Sequence, residues 1–318
     1  KIRVRVCGIC GSDIPRILDD AAHYYPIVLG HEFSGNVVQV GEGVCGFSVG
    51  DRVTGAPLVP CMECDDCQRG HYSACSHYSF IGSRQQGALA EYVVIPARNA
   101  VKLPDNVTYE MGALFEPATV ALHGLFRSVF QGGEDTAIVG TGNIGMLTME
   151  WAQIFGAKTI TVFDILDERL AIAERLGADS VINTRSETDM ERVKNGAGYG
   201  YVFETAGYPD TIRLGFDLVS GGGAYTCIGT PSSTLSFEWK QWEQMNRKEF
   251  FMTGTWMSYS APFPGKEWSL TAHYFGTGAL RLDDSMIFAR YPLADIADAA
   301  GLYQEPGRVK GKVLITND

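Results

Sequence analysis

Gly140-Thr-Gly142-Asn143-Ile144-Gly145 lies between an apolar run, Thr136-Ala-Ile-Val139, and a stretch of helical periodicity, Ile144–Phe155. No other segment restricts the fold as much. G-x-G-x-x-G spacing is weak evidence alone, but a strand before it and a helix after it are the context a dinucleotide-binding βαβ unit needs. Gly140 permits the turn, Gly142 lets the backbone approach a pyrophosphate, and Gly145 lets helix and strand pack closely; the helix N-terminus adds free N–H groups and partial positive charge. The alternation continues. Thr159–Phe163 precedes a helix over Leu166–Leu176, and short strands follow around Val181, Tyr201–Phe203, Ala224–Ile228 and Phe250–Met252. This pattern predicts an α/β domain with a Rossmann doubly wound parallel sheet. Asp164, at the end of its second strand, is placed to accept hydrogen bonds from an adenosine ribose and to repel a 2′-phosphate, which predicts NAD rather than NADP. Arg169 either contacts the same ribose or is a solvated helix cation.

The first hundred residues read differently. Gly35–Val40 and Ala90–Ile95 are short β-like runs separated by Gly, Pro and Asp, as in a β-rich lobe with loops, and the pattern turns helical near Met111 and over Ala118–Phe130. Within this lobe Cys61, Cys64, Cys67 and Cys75 are spaced C-x2-C-x2-C-x7-C. Four thiolates so close in sequence can converge on one tetrahedral Zn²⁺ with no position left for substrate, a structural site. The other reading is a pair of local disulfides, which C-x2-C pairs in a chain with no secretory leader disfavour. The 318 residues carry a net charge of −11, which argues against nucleic acid or an anionic membrane as partner. No apolar run is long enough to cross a membrane as a helix, and a cytoplasmic location is expected. Lys1 already lies inside an alternating strand, as though a leading segment were missing.

Cys10 stands in Cys7-Gly-Ile-Cys10-Gly-Ser12-Asp13, His31 and Glu32 in Leu29-Gly-His-Glu, and Glu116 in Phe115-Glu-Pro117. Singly each has an ordinary structural reading. Together with the four-cysteine run and the glycine fingerprint, in this order, they resemble the zinc-dependent medium-chain dehydrogenase family of alcohol and polyol dehydrogenases over about Arg5 to Ile315. The resemblance implies a GroES-like β-rich catalytic domain (1–117 and 257–318) and a Rossmann NAD-binding domain (118–256). It implies a catalytic Zn²⁺ held by Cys10 and His31, with Glu116 at the third ligand position and Glu32 a direct or exchangeable ligand. Two zinc ions per chain and NAD follow as cofactors.

Further segments, His23-Tyr-Tyr-Pro-Ile-Val, Phe80-Ile-Gly-Ser-Arg84 and Gly254-Thr-Trp-Met-Ser-Tyr259, resemble the galactitol-1-phosphate 5-dehydrogenase branch, which oxidises a sugar-alcohol phosphate to a ketose phosphate. Sorbitol (L-iditol) 2-dehydrogenase and L-threonine 3-dehydrogenase are the neighbouring alternatives; a non-catalytic NAD-binding redox sensor is the remote one. By the resemblance Ser12 takes the hydroxyl proton in a relay, although Pro15 stands where many members carry the histidine that ends it. Arg16 is the candidate contact for a substrate phosphate, with Arg84 as a second basic residue and Tyr25, Trp256 and Tyr259 as candidate walls. A homodimer or homotetramer is expected, as is the absence of β-strands that precede Lys1 in the family.

Overall fold

The computed structural model describes residues 1–231, 233–305 and 307–317. The chain divides into two units, Lys1–Thr119 with Ser258–Asp318, and Val120–Met257. In the first unit lie β1 (Ile2–Ile9), β2 (Glu32–Val37), β3 (Arg52–Gly55), β4 (Leu58–Val59), β5 (Ser79–Phe80), β6 (Tyr92–Val93) and β7 (Ala100–Lys102). The second holds β8 (Asp135–Val139), β9 (Thr159–Asp164), β10 (Ser180–Asn183), β11 (Tyr199–Glu204), β12 (Val219–Cys227) and β13 (Phe251–Gly254). The chain then returns to the first with β14 (Ile287–Pro292) and β15 (Lys312–Thr316).

The first unit is built on a sheet in the order β14-β15-β1-β2-β3-β7, with β6 on β1. β1 alternates as its sequence predicts: Ile2, Val4 and Val6 are buried and Arg3 and Arg5 half-buried between them. It runs antiparallel to both β2 and β15. The register fixes the chemistry that follows. Gly8 pairs with Glu32 of β2 on one side and with Leu314 of β15 on the other. A Cβ on Gly8 would lie 2.5 Å from Glu32 Oε2, so a side chain there would displace the Glu32 carboxylate.

The second unit is a parallel sheet in the order β10-β9-β8-β11-β12-β13, a Rossmann-type doubly wound arrangement. Its strands bury Ala137, Val139, Phe163, Ile182, Val202 and Tyr225 against Phe216 and Leu218 of the helix Pro209–Leu218. β8 ends in the glycine turn, and the helix Asn143–Ile154 follows directly. The run Ala90–Ile95 forms only the two-residue β6, paired with Ile2 and Arg3 of β1.

Candidate active site

The ends of β1 and β2 bring together what the sequence separates. Ligand atoms of Cys10, His31 and Glu32 all lie within 4.8 Å of one another. Cys10 follows β1 and caps the turn Gly11–Asp13; its N–H donates to Asp13 Oδ2 at 3.2 Å. The other oxygen of that fully buried carboxylate stands 3.5 Å from His31 Nδ1, and neither atom has another hydrogen-bond partner. Burial pulls the His31 pKa down, but Asp13 and Cys10 more than reverse this and hold it well above its usual value. A buried imidazole oriented by a carboxylate beside a thiol is a donor set suited to Zn²⁺. Ser12 donates to Cys10 Sγ at 3.4 Å and is otherwise exposed.

Glu116 begins the helix Phe115–Arg127 and is 9 % exposed. Burial raises its pKa to about 7, with His31 lowering and Glu32 raising it, so its charge is felt at the cluster. Its carboxylate is not among the atoms within 4.8 Å. Glu32, which is, also accepts a hydrogen bond from Lys312 Nζ across β1. Both partners are buried. Two functional residues were therefore missed in the sequence. Asp13 had a signal, its place in Cys-Gly-Ser-Asp; Lys312 had only the oddity of a cation at the head of an apolar strand.

The four-cysteine loop converges too. The Cys61 and Cys75 sulfurs are 3.5 Å apart and those of Cys61 and Cys67 3.9 Å. Ligands on a tetrahedral ion with Zn–S bonds of about 2.3 Å are separated by about 3.8 Å. All eight cysteines are free, which excludes the disulfide reading. Backbone N–H groups of Cys64 and Cys61 donate to Cys61 Sγ and Cys75 Sγ, each at 3.4 Å. The Cys67 N–H and neighbouring thiols lower Cys64 to about 6, while burial raises Cys67 to about 12.

In the second unit Gly140 takes φ +97°, and a Cβ on Gly145 would lie 1.9 Å from Gly140 O. Above Gly142 only Arg169 Nη1 comes near, 3.9 Å from where a Cβ would be. The surface over Gly142 is thus open backbone with one half-buried guanidinium. Asn143 and Ile144 open the helix whose N-terminus faces this turn. Asp164 accepts from the Thr141 N–H at 2.8 Å and from the Thr141 hydroxyl, and from the Ile165 and Leu166 N–H groups at 2.7 and 3.0 Å. Glu204 ties the next turn, its Oε1 accepting from Ala206 and Gly207 N–H and the Thr211 hydroxyl.

Of the residues expected at the substrate, Arg16 is half-buried on the helix Ile14–Leu18. Tyr25 is 56 % exposed and Trp256 57 % exposed. Tyr259 is a correction. At 4 % exposure it packs against Phe263 and Trp268, and its hydroxyl accepts from Leu58 N–H at 2.9 Å, so it is core rather than wall.

Together the sheet topology, the convergent donor sets and the glycine turn define a class. Residues 1–105 match the family model of the alcohol dehydrogenase GroES-like domain and residues 143–272 that of the zinc-binding dehydrogenases. The chain belongs to the zinc-dependent medium-chain dehydrogenases and is an oxidoreductase. Within that family it is similar to galactitol 1-phosphate 5-dehydrogenase of Escherichia coli (strain K12), 38% identical over 286 residues, 89% of this chain and 83% of the relative. The crystal structure of galactitol-1-phosphate dehydrogenase from Escherichia coli superposes with a TM-score of 0.94 at 37% identity, covering 99% of this chain and 92% of that one. Sorbitol dehydrogenase of Bacillus subtilis (strain 168) is 36% identical over 239 residues, 73% of this chain and 68% of the relative.

Proposed function

We propose that the chain oxidises a secondary alcohol of a sugar-alcohol phosphate, galactitol 1-phosphate above others, to a ketose phosphate, with NAD as hydride acceptor. The observation that carries this is the convergence of Cys10, His31 and Glu32 at the ends of paired strands, beside a buried Asp13. Cys10, His31 and a carboxylate, Glu116 or Glu32, would hold a catalytic Zn²⁺, and Cys61, Cys64, Cys67 and Cys75 a structural one. The catalytic ion supplies a Lewis acid that lowers the pKa of the substrate hydroxyl.

The chain's own residues do the rest. Asp13 fixes the His31 ring, and Lys312 balances the Glu32 charge so that the buried site does not carry uncompensated carboxylates. Ser12, exposed beside Cys10, receives the hydroxyl proton; with Pro15 in place of a relay histidine, the proton leaves directly to solvent at this open turn. The turn Gly140–Gly145 binds the pyrophosphate of NAD, and Asp164, with its rim already bonded to Thr141, sets the ribose edge of that site. Arg16, on the turn that follows Cys10, meets the substrate phosphate. Eight unpaired thiols in an acidic chain support a reducing, cytoplasmic setting. The edge strand β13, with Phe251 and Met252 exposed, supports a homodimer or homotetramer.

Initial rates of NADH formation with galactitol 1-phosphate, sorbitol and L-threonine test the reading. The expected order has galactitol 1-phosphate first in kcat/KM. Preference for sorbitol moves the assignment to the unphosphorylated polyol, and no turnover on any alcohol leaves the redox-sensor alternative.

A further inference from the structure

In a chain of net charge −11, a local excess of positive charge has to be assembled. Two guanidinium groups are brought beside the Cys10–His31 cluster on separate segments, with a histidine on a third. Arg16 lies a turn beyond Ser12, donates through Nη1 to the Ser12 carbonyl, and stands 4.0 Å from Asp13 Oδ1. The guanidinium is thereby tied to the turn that carries Cys10, and its Nε is buried without an acceptor. Arg84 sits on the turn after β5, which is seamed to the residues just before His31. Gly87 N–H donates to Val28 O at 2.7 Å, Ala88 N–H to Gly30 O at 2.9 Å, and Val28 N–H to Gln86 Oε1 at 2.7 Å. A Cβ on Gly82 would lie 2.4 Å from Gly30 O, so this turn cannot stand away from the His31 segment. The Arg84 guanidinium lies 4.7 Å from the Tyr78 ring centroid and has no carboxylate at ion-pair distance among the described residues.

His23, an imidazole donor rather than a fixed charge, is the third group, exposed on the stretch between the Arg16 helix and His31. Burial lowers its pKa first, and the charges of Arg84 and then Arg16 lower it further, so its ring lies in the field of both. Against these three stand Asp13, which His31 shares, and Asp20, which the Tyr25 hydroxyl engages. Like charges gathered this way repel one another, and a polyanion placed among them turns that repulsion into binding. A phosphate monoester suits the set. One guanidinium fork takes two of its oxygens, leaving a third for the other fork and the imidazole.

We propose that Arg16, His23 and Arg84 form the subsite for the phosphate of the substrate and set the preference for phosphorylated over unphosphorylated polyols. The inference rests on the polyol-phosphate reading above and extends it from Arg16 to a set of two guanidinium groups and an imidazole. A neutral hydroxymethyl group in the same place leaves both guanidinium groups without an anion, which is the source of discrimination.

The test uses the zinc-loaded full chain and its Arg84→Gln and His23→Asn variants, both altered at exposed positions. Rates are measured on galactitol 1-phosphate and on galactitol, with inorganic phosphate titrated as an inhibitor of galactitol oxidation. In Arg84→Gln the ratio of kcat/KM for the two substrates should fall about tenfold or more, as expected for loss of a charge-assisted contact. His23→Asn should lower it less, and inhibition by inorganic phosphate should weaken in both. An unchanged ratio in both variants overturns the subsite, even if inorganic phosphate inhibition weakens, because the patch then binds only the free anion. If neither polyol turns over, the enzymatic reading falls on its own. The subsite is then judged by broadening of the ³¹P resonance of galactitol 1-phosphate: broadening lost in Arg84→Gln supports it, and equal broadening, or none with either protein, overturns it.

Discussion

The Asp164 carboxylate accepts four hydrogen bonds from its own chain, two from Thr141 and one each from the Ile165 and Leu166 N–H groups. An acid at the end of the second strand reads from sequence as a ribose acceptor; in the structure it also clasps the glycine turn to the loop after β9. Asp164→Ala should therefore do two things. It should weaken use of NAD more than of NADP, and it should destabilise the chain by about 1–3 kcal/mol, because the buried Thr141 N–H loses its acceptor. Paired kcat/KM values and denaturant unfolding check both; an unchanged cofactor ratio would place the discrimination elsewhere. Lys312 makes the complementary point. Glu32 is 1 % exposed and Lys312 5 %, and removing one member of a buried pair leaves a charge without a partner. Lys312→Met should cost about 3–5 kcal/mol in unfolding free energy, and a loss below about 1 kcal/mol would show that Glu32 finds another donor. Cys10 and His31 were legible as a set only through the family resemblance, which put Glu116 at the third ligand position and left Glu32 a direct or exchangeable ligand; the structure brings Glu32 within 4.8 Å of both. Lys312 was not legible, because a pairing across 280 residues leaves no local trace. Arg84 was named from the sequence as a second basic residue; His23 was not, because its place near the two arginines depends on how loops pack rather than on spacing.

At the scale of elements, the alternation of apolar strand and helix was legible throughout the second unit, where parallel strands buried on both faces read as continuous apolar runs. The first unit was harder. Its β4, β5 and β6 are two residues each, too short for periodicity to show, and their positions are set by the loops they hold. The four-cysteine loop is such a case: its only regular pieces are the turn of helix Asp65–Gln68 and the short turn Tyr72–Ala74. Tyr72 anchors it edge-on against Phe263, and a zinc ion on the four thiols would add the cross-link between its turns. Cys64→Ala should lower the unfolding temperature and the zinc content by one ion per chain. Cys10→Ala should also lose one zinc and abolish turnover, while leaving the unfolding temperature close to that of the unaltered chain. Elemental analysis with calorimetry separates the two; identical behaviour would refute the division of labour between the sites.

For the whole molecule, the decisive feature is that β15 lies between β14 and β1, inside the sheet rather than at its rim. Val313, Leu314 and Ile315 are almost wholly buried there, and Lys312 enters with them. Ending the chain after Gly311 should therefore abolish zinc retention at Cys10 and His31, although no ligand is touched, and leave β1 with one open edge. Soluble yield and metal content check this, and a truncated chain that keeps two zinc ions would contradict it.

That strand order also has a consequence in time. A ribosome adds about 5–20 residues per second, so the 280 positions that separate Glu32 from Lys312 correspond to a wait on the order of 15–60 s. The Val120–Met257 unit, continuous in the chain, is fully synthesised before that wait ends. The β1–β2 pair, with its thiol, imidazole and buried carboxylate, has β3 and β6 beside it early but spends the interval without β15 and without its counter-charge. The candidate metal-binding end is thus finished after the Val120–Met257 unit has been made, and a nascent chain completes it only once Lys312 has been added.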